Sequence, residues 1–448
     1  MKKLVLLVSL SAMLAGADFR AGVARVRITP EAPIWMAGFA ARTHTSIGVM
    51  HELWAKALAL EDSRGNRAVI VTTDLIGLPR AIADPVAARL AKEYGLNRAA
   101  LLLNSSHTHS GPLLRANLEL MFDLVPDERH IVEDYSQKLP GDLVSVVAAA
   151  LGKLEPAELY YGRGEVGFAV NRRERTAQGF RIGVNPQGPV DHSVPVLKVA
   201  TSEGKLLAVV FGYACHNTTL TADSYLISGD YAGFAQLRLE KIYPEATAMF
   251  LMLCGADQNP HPRGKPELAE QYGNELASEV DRVLKRKLQR VRAPLRSAFQ
   301  IVEPAFAMHT RTIFEQRLND PRPVYRRHAK YMLTTYDQKQ PIRKVLYPVQ
   351  ALRFGKNLTI IALGGEVVVD YTLRLYREYP KENLIVAGYS NDVMCYIPSS
   401  RVLQEGGYEA EESMIYYGQP GPFRDDVEDV IFHAIHRTLE NVGVRGKQ

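Results

Sequence analysis

The sequence predicts an α/β fold of α+β character, with a mixed β-sheet core, flanking helices and a functional site at the C-terminal ends of the strands. Three observations predict it. Short runs rich in Val, Ile and Leu alternate with segments of helical periodicity. Several of these runs end in polar residues, where open α/β sheets place their sites. The 448 residues, 46% hydrophobic and 23% charged, are enough for a large core in a soluble protein.

The individual elements follow from these patterns. Five apolar runs predict strands at Ala68–Thr73, Ala100–Leu103, Leu207–Tyr213, Ala248–Leu253 and Leu358–Leu363. Four helical patterns predict helices at Ala81–Tyr94, Ile131–Leu151, Glu267–Lys287 and Val368–Glu378. Three further segments predict antiparallel strands, which would make the sheet mixed or form a second sheet: Leu159–Ala169, Val194–Ala200 and Arg296–Met308.

No linker divides the chain, so the sequence predicts one domain over residues 18–448. Within it, Thr310–Pro348 is charged, contains proline and is rich in Arg, Lys and Tyr, which favours an insertion or a lid. The net charge of +5 is mild for this length and no long Lys/Arg run is present. The concentrated basic face of a nucleic-acid-binding protein is therefore not predicted.

The N-terminus predicts a signal peptide over residues 1–17. Lys2 and Lys3 precede the apolar run Leu4–Leu14, and Ala15-Gly16-Ala17 supplies a small-x-small cleavage signal. The apolar run is too short to span a bilayer, although a buried N-terminal helix is an alternative. We therefore expect no transmembrane span and a mature protein that begins near Asp18 in the periplasm or outside the cell.

The three cysteines, Cys215, Cys254 and Cys395, are an odd number, which argues against a scaffold built from disulfides. Small, buried packing positions are the expected role of all three. One bridge in an oxidising compartment is the alternative.

Polar motifs follow the predicted strands at five places. The first, Asn104–Pro112, contains His107-Thr108-His109, and two histidines spaced in this way lie on one face of an extended chain. Two polar loop histidines are the alternative interpretation of this pair. Each of the other four is by itself compatible with an ordinary strand-to-loop transition: Ala214–Thr219, Leu253–Pro260, Leu363–Glu366 and Ser390–Pro398. Five such motifs at the same end of predicted strands indicate one shared site.

In order and in motif, this constellation resembles the neutral ceramidase family, a group of zinc-dependent amidases. The resemblance runs from about Ala21 to Tyr417 and implies the catalytic domain of that family. The segments that carry it are Thr29-Pro30, Met36–Phe39, His107–Pro112, Asn171-Arg172, His216, Gly255–Pro260, Gly365-Glu366, Tyr396-Ile397 and Tyr408-Glu409-Ala410.

The resemblance implies a zinc site. The family's ligands fall on His107, His216, Glu366 and Tyr396. Two imidazoles and a carboxylate are a common catalytic zinc set that leaves access for water or a substrate oxygen. A tyrosine ligand is uncommon, and without the resemblance Tyr396 would be interpreted as a packed aromatic residue.

The resemblance also implies the residues that meet the substrate. His109 corresponds to a substrate-contacting or proton-handling position beside the metal. Gly38 (through its backbone), Arg172 and Tyr408 correspond to positions that hold the amide or its neighbouring hydroxyl. The alternative for Arg172 is a surface charge within the stretch Arg172–Arg175.

One motif departs from the family. Ceramidases carry a nucleophilic serine in the Gly-led turn, and here Gln258 occupies that position in Gly255–Pro260. A glutamine amide exchanges hydrogen bonds but is no acyl-accepting nucleophile. Asp257 is the nearest candidate for a general base, and an Asx-turn residue is the alternative.

Together these features predict a secreted zinc-dependent hydrolase that cleaves an amide or ester bond of a small molecule with metal-activated water. An N-acyl lipid is the first substrate class, and contact with a membrane surface is compatible with it. An alternative is a carbohydrate-active metalloenzyme for an acidic saccharide, suggested by Arg172, Arg173, Arg175 and Arg181. A second alternative is a metal-dependent binding protein that lost turnover with the serine.

Overall fold

Two β-sheets lie face to face at the centre of the chain, and helices cover their outer faces. The computed structural model describes residues 17–445. In the first half the strands are β1 (Phe19–Arg27), β2 (Gly48–Val49), β3 (Trp54–Asp62), β4 (Arg67–Thr73), β5 (Leu101–Ser105), β6 (Glu155–Glu165), β7 (Ala169–Thr176), β8 (Gly179–Asn185), β9 (Ser193–Thr201) and β10 (Leu206–Tyr213). They continue with β11 (Leu226–Ile227), β12 (Thr247–Met252), β13 (Gln258–Pro260), β14 (Gln289–Val291), β15 (Leu295–Val302), β16 (Tyr347–Phe354), β17 (Leu358–Leu363), β18 (Glu366–Val367), β19 (Leu384–Ala387) and β20 (Tyr396–Ile397).

The larger sheet has nine strands in the order β12-β10-β9-β6-β1-β3-β4-β5, with β14 paired to β6. The second sheet has the order β15-β16-β17-β19. Both sheets are mixed, because β4–β5, β10–β12 and β17–β19 run parallel while their other pairs are antiparallel. The buried layer between the sheets combines side chains such as Ile70 and Leu102 from the first with Phe354 and Ile360 from the second.

The helices are α1 (Arg80–Tyr94), α2 (Pro126–Leu151), α3 (Asp230–Ile242), α4 (Pro266–Leu284), α5 (Arg311–Arg317), α6 (Pro323–Asp337), α7 (Asp370–Glu378), α8 (Ser400–Glu405) and α9 (Val427–Asn441). Apolar residues of α1–α4 pack on the outer face of the nine-stranded sheet. Those of α7 and α9 pack on the outer face of the four-stranded sheet. The layers therefore follow the order helix, sheet, sheet, helix, as expected when each sheet buries both faces.

The predicted fold class, a mixed sheet with flanking helices, is confirmed. Strands buried on both faces have continuous apolar sequences, which is why the sequence predicts β10 and β12 correctly. The prediction missed β3, where the buried Lys56 interrupts the apolar run and pairs with Glu240 at 2.7 Å. It also merged β6 with the start of β7, although the two strands belong to different sheets.

The segment Thr310–Pro348, predicted as an insertion or a lid, contains α5 and α6 and then continues into β16. We call residues 311–337 the helical arm. It has a small core of its own around Phe314, Ala329 and Met332. The Arg327 guanidinium donates to the carbonyl oxygens of Leu120 and Met121. These hydrogen bonds attach the helical arm to the segment that precedes α2.

Several other predictions concern features outside the core. The segment interpreted as a signal peptide lies, up to Gly16, outside the described residues. Among residues 17–445 we find no helix with the length and apolar character needed to cross a membrane. All three cysteines are buried and unpaired, as the packing interpretation requires. The prediction of one domain over residues 18–448 stays a prediction.

Candidate metal centre

The ends of β5, β10, β17 and β19 bring four polar segments to one place. The Asn104 side chain joins the strand ends: its Nδ2 donates to the carbonyl oxygens of Met252 and Gly388, and its Oδ1 accepts from the Met252 amide at 2.8 Å. Thr108 and Asn217 form a parallel bridge between the segments that follow β5 and β10. Glu366 and Tyr396 are partners in the parallel pair β18–β20.

Five side chains meet there, and we call them the histidine cluster: His107, His109, His216, Glu366 and Tyr396. His107 Nε2 lies 3.1 Å from His109 Nε2 and 3.0 Å from Glu366 Oε2. His216 Nε2 lies 3.2 Å from Glu366 Oε2 and 3.3 Å from the Tyr396 hydroxyl. All five residues are buried, with 9% or less of their surface exposed.

Backbone carbonyls fix the orientation of two of the imidazoles. His107 Nδ1 lies 2.6 Å from the Ile76 carbonyl oxygen, and His216 Nδ1 lies 2.9 Å from that of Gly255. A carbonyl only accepts hydrogen bonds, so both Nδ1 atoms carry the hydrogen and both Nε2 atoms present a lone pair to the cluster. A carbonyl behind a ligating histidine is the usual support of a metal site.

The charge states fit a cation. Burial, reinforced by the Arg172 charge, lowers the pKa of His216 to about 3, and burial also holds the pKa of His109 well below its usual value. Burial alone would raise the pKa of Glu366, but His107 and His216 hold it well below its usual range. The His216 imidazole, whose pKa is lowered, thus lies 3.2 Å from an oxygen of the ionised Glu366 carboxylate. The three histidines offer ligand atoms within 4.8 Å of one another, and this nitrogen and oxygen set suits zinc.

Gly38 lies against the ring of His109. A Cβ atom at Gly38 would come within 2.4 Å of His109 Nδ1, and its φ of +94° is one that side-chain-bearing residues rarely adopt. The Phe39 ring packs 4.7 Å from the same imidazole, and Arg42 donates to the His109 carbonyl oxygen at 2.7 Å. The position of His109 is therefore fixed by the hydrogen bond to its carbonyl oxygen and by the packing of Gly38 and Phe39 against its ring.

Arg172 is buried within the site, so the alternative interpretation of this residue as a surface charge is wrong. Its Nε donates to Glu409 at 2.7 Å and one terminal nitrogen donates to the Tyr396 hydroxyl at 3.0 Å. The guanidinium lies over the Tyr408 ring, 5.5 Å from its centroid. Arg172 thus links Tyr396 to Tyr408.

Three of the four arginines proposed to bind an acidic sugar are paired with carboxylates: Arg172, Arg173 and Arg181. Only Arg172 contacts the histidine cluster, and Glu409 balances its charge. Arg173 is buried against Glu405 and Glu409, while Arg181 pairs with Glu174 at the surface. Arg172 and Arg173 share Glu409, and each of these three guanidinium groups already has a carboxylate partner.

The Asp257 and Gln258 side chains of the Gly-led turn form their hydrogen bonds away from the histidine cluster. Gln258 Oε1 accepts from the Asp191 amide at 2.8 Å, and its Nε2 donates to the Ala214 carbonyl oxygen. Asp257 accepts from the Val369 amide at 2.9 Å and from Asn171 Nδ2 at 3.1 Å. Burial, followed by the charge of Asp370, raises the pKa of Asp257 to about 7. Its carboxylate therefore bonds distant residues, among them Val369 directly before α7, and not the backbone of its own loop as an Asx turn would.

Two residues of the site escaped the sequence interpretation. The Tyr417 hydroxyl donates to Glu366 Oε1, and the Tyr389 hydroxyl lies 3.4 Å from Glu366 Oε2. Neither belongs to a motif of chemically distinctive residues. Tyr389 precedes the motif Ser390–Pro398 by one position, and its proximity to that motif was the one available signal.

Comparison with known proteins gives this arrangement a context. A family model described as neutral/alkaline non-lysosomal ceramidase, N-terminal, matches residues 19–255. Neutral ceramidase from Pseudomonas aeruginosa is 27% identical over 252 residues, which are 53% of this chain and 36% of that protein. Neutral ceramidase B from Dictyostelium discoideum is 27% identical over 221 residues, 47% of this chain and 30% of that protein. These matches thus span about a third of the relatives' length.

A solved structure extends the likeness in fold. The crystal structure of neutral ceramidase from Pseudomonas aeruginosa superposes with a TM-score of 0.73 at 19% identity, covering 96% of this chain and 76% of that one. A second solved structure, a ceramidase complexed with C2, gives the same TM-score at 18% identity. The family model covers more than half of the sequence, 237 of 448 residues, and so the chain belongs to the neutral/alkaline non-lysosomal ceramidase family.

Proposed function

We propose that the chain is a zinc-dependent, ceramidase-like hydrolase that cleaves an amide or ester bond in an N-acyl lipid or a related small molecule. The observation that carries the proposal is the convergence of three imidazole nitrogens and the Glu366 carboxylate from three separate segments. Buried imidazoles have this arrangement where they share a cation. The relatives named neutral ceramidase support the class of substrate.

His107, His216, Glu366 and Tyr396 would hold the ion. Zinc supplies Lewis-acid polarisation of a carbonyl and lowers the pKa of a water molecule to near neutrality. The protein's contribution is to orient these ligands, through the Ile76 and Gly255 carbonyls, in a site that excludes bulk water. Exclusion of water strengthens each electrostatic interaction inside the site.

His109 is the residue best placed to move a proton. Its Nε2 faces the cluster, and its Nδ1 is a buried atom without a hydrogen-bond partner in the described part of the chain. We assign to it the transfer of a proton from the attacking water to the leaving group. Asp257, the other candidate, has both carboxylate oxygens engaged elsewhere.

Arg172 and Tyr408 would orient the scissile carbonyl. The Arg172 guanidinium is fixed by Glu409 and reaches the Tyr396 hydroxyl, so its charge lies beside the cluster. Because the side chain is already ordered, it loses no further conformational entropy when a substrate binds. A fixed positive charge stabilises the oxyanion that develops during acyl transfer. The Tyr408 hydroxyl is a neutral donor, because burial raises its pKa.

Water, rather than an enzyme side chain on the Gly-led turn, is the proposed nucleophile. Both polar ends of the Gln258 side chain are engaged by main-chain groups. No acyl-enzyme therefore forms at this position. Export through the signal peptide would bring the enzyme to acyl substrates outside the cytoplasm or at a membrane surface.

The test compares the wild type with His216→Ala and with His130→Ala, whose side chain is 74% exposed on α2. We expect about one zinc per chain in the wild type and in His130→Ala, measured by elemental analysis, and hydrolysis of an N-acyl sphingoid lipid that a chelator abolishes. His216→Ala should lose both the metal and the activity. Full zinc occupancy in His216→Ala would contradict the ligand assignment, while cleavage of O-acyl saccharides alone would move the substrate to the sugar class.

A further inference from the structure

The two oxygens of the Glu366 carboxylate have different surroundings. Oε2 lies 3.0 Å from His107 Nε2 and 3.2 Å from His216 Nε2, whereas Oε1 accepts a hydrogen bond from the Tyr417 hydroxyl. Tyr417 comes from a turn 51 residues further along the chain, outside every element that supplies a cluster residue. The Oε1 atom of Glu366 is therefore hydrogen-bonded by a turn that supplies none of the five residues of the histidine cluster.

This hydrogen bond limits what Glu366 can do. A carboxylate binds a cation through one oxygen or through both, and rotation about its last bond exchanges the two modes. A donor on Oε1 stops that rotation and leaves Oε2 directed at the two imidazoles. Glu366 is buried, so Oε1 without Tyr417 would lack this partner and would turn towards the cluster.

We propose that Tyr417 is a positioning residue for Glu366, and that the helical arm, by fixing Tyr417, is coupled to the affinity of the site for zinc. The inference rests on the proposed function, since it takes Glu366 as a zinc ligand. Hydrogen-bond partners behind a ligand typically change metal affinity by about 10- to 100-fold.

The arm contacts the residues that directly follow Tyr417. His328 Nε2, on α6, lies 2.7 Å from the Gln419 carbonyl oxygen. Gly418 passes so close to Tyr331 of α6 that an added Cβ would lie 2.9 Å from its ring, and its φ is +67°. The Gln419 side chain donates to the Met394 carbonyl oxygen at 3.1 Å, two residues before Tyr396. Residues 417–419 thus lie between the arm and the histidine cluster.

The first experiment compares Tyr417→Phe with Tyr416→Phe, a matched control on the neighbouring residue whose ring lies beside Tyr408. Zinc affinity is measured by competition with a chromophoric chelator, and the visible spectrum is recorded after loading with Co²⁺. We expect Tyr417→Phe to bind zinc about 10- to 100-fold more weakly and to change the Co²⁺ spectrum. Tyr416→Phe should match the wild type in both, and circular dichroism should show that both variants are folded.

The second experiment tests the arm with a double-mutant cycle. His328→Ala removes the contact with the Gln419 carbonyl and should weaken zinc binding by about threefold to tenfold, since it acts only through Tyr417. In the Tyr417→Phe background the same change should have no further effect. Such non-additive effects would show that His328 and Tyr417 are energetically coupled, although only Tyr417 contacts the histidine cluster.

The outcomes separate the two proposals. Zinc affinity and a Co²⁺ spectrum equal to the wild type in Tyr417→Phe would overturn the positioning role, with the zinc site intact. Additive losses in the cycle would overturn the coupling of the arm. A wild-type chain that binds no zinc would overturn the proposed function itself.

Discussion

Two segments that follow buried strands contribute to the site in opposite ways. Residues 107–109 direct their imidazoles into the histidine cluster. The turn Gly255–Pro260 directs its carbonyl oxygens towards the site: Gly255 accepts from His216 Nδ1, Gln258 from the His216 amide and Asp257 from the Arg172 amide. One segment supplies reactive side chains, and the other supplies the main chain that holds them.

The difference explains why the support of His216 does not depend on the side chain at position 258. A carbonyl oxygen is present whatever the side chain, so a glutamine there leaves this support intact. The Gln258 side chain itself binds main-chain groups of Asp191 and Ala214. The corresponding exchange at His107 would remove a lone pair that no main-chain group replaces.

The largest effect in this comparison is expected at Gly38, next to the segment that supplies side chains. Gly38→Ala would place a Cβ 2.4 Å from His109 Nδ1, so the imidazole has to turn away. We expect kcat to fall by about 100-fold, the usual contribution of a proton-transferring group. Gly65→Ala is the control, because Gly65 also has a positive φ of +80° but no atom within 4 Å of an added Cβ.

The zinc affinity of Gly38→Ala distinguishes between two roles for His109. If the variant keeps its zinc while activity falls, His109 handles protons. If zinc is lost together with activity, His109 is a ligand and the histidine cluster holds the ion through three imidazoles. Equal kcat in the wild type and Gly38→Ala would remove His109 from the reaction.

A smaller effect, on stability, is expected at Gln258. Gln258→Ser removes hydrogen bonds to the Asp191 amide and the Ala214 carbonyl oxygen, and each buried group left without a partner costs about 1–3 kcal/mol. Urea unfolding should show this loss, while activity per folded molecule stays near that of the wild type. Labelling of the introduced serine by a serine-directed phosphonate, followed by mass spectrometry, would contradict the inference that the side chain at position 258 takes no part in the reaction.

A further effect, on the pH dependence of stability, is expected at Asp257. Its pKa is raised to about 7 in the folded chain, against about 3.9 for an unperturbed aspartate, so the folded state binds the proton more tightly. Its contribution to stability is complete below about pH 4 and is lost as the pH rises through 7, with a slope of at most about 1.4 kcal/mol per pH unit. Asp257→Asn should remove this slope from urea unfolding between pH 4 and 8. A parallel decline in both proteins would show that another group titrates.

The sequence predicted the sheet, several helices and the two histidine motifs of the cluster, because apolar strands and chemically distinctive motifs are local signals. Tyr396 was implied only by the family resemblance. The sequence did not predict the second layer of contacts. Tyr417 reaches Glu366 only through the three-dimensional path of the chain. Arg173 was interpreted with Arg172 as a basic patch, but both arginines are buried and pair with acidic residues 232–237 positions away, sharing Glu409. Such pairings have no local signature.

The proposed metal ligands come equally from the two sheets. His107 and His216 follow β5 and β10 of the nine-stranded sheet, whereas Glu366 follows β17 and Tyr396 follows β19 of the other. An ion held by all four would therefore join the sheets as a cross-link in a chain whose cysteines are buried and unpaired. Its coordination shell forms only after the sheets have docked, so metal uptake would mark the completion of folding, and the binding free energy would add to that of the sheet interface. Metal supply would then set how long each molecule survives proteolysis.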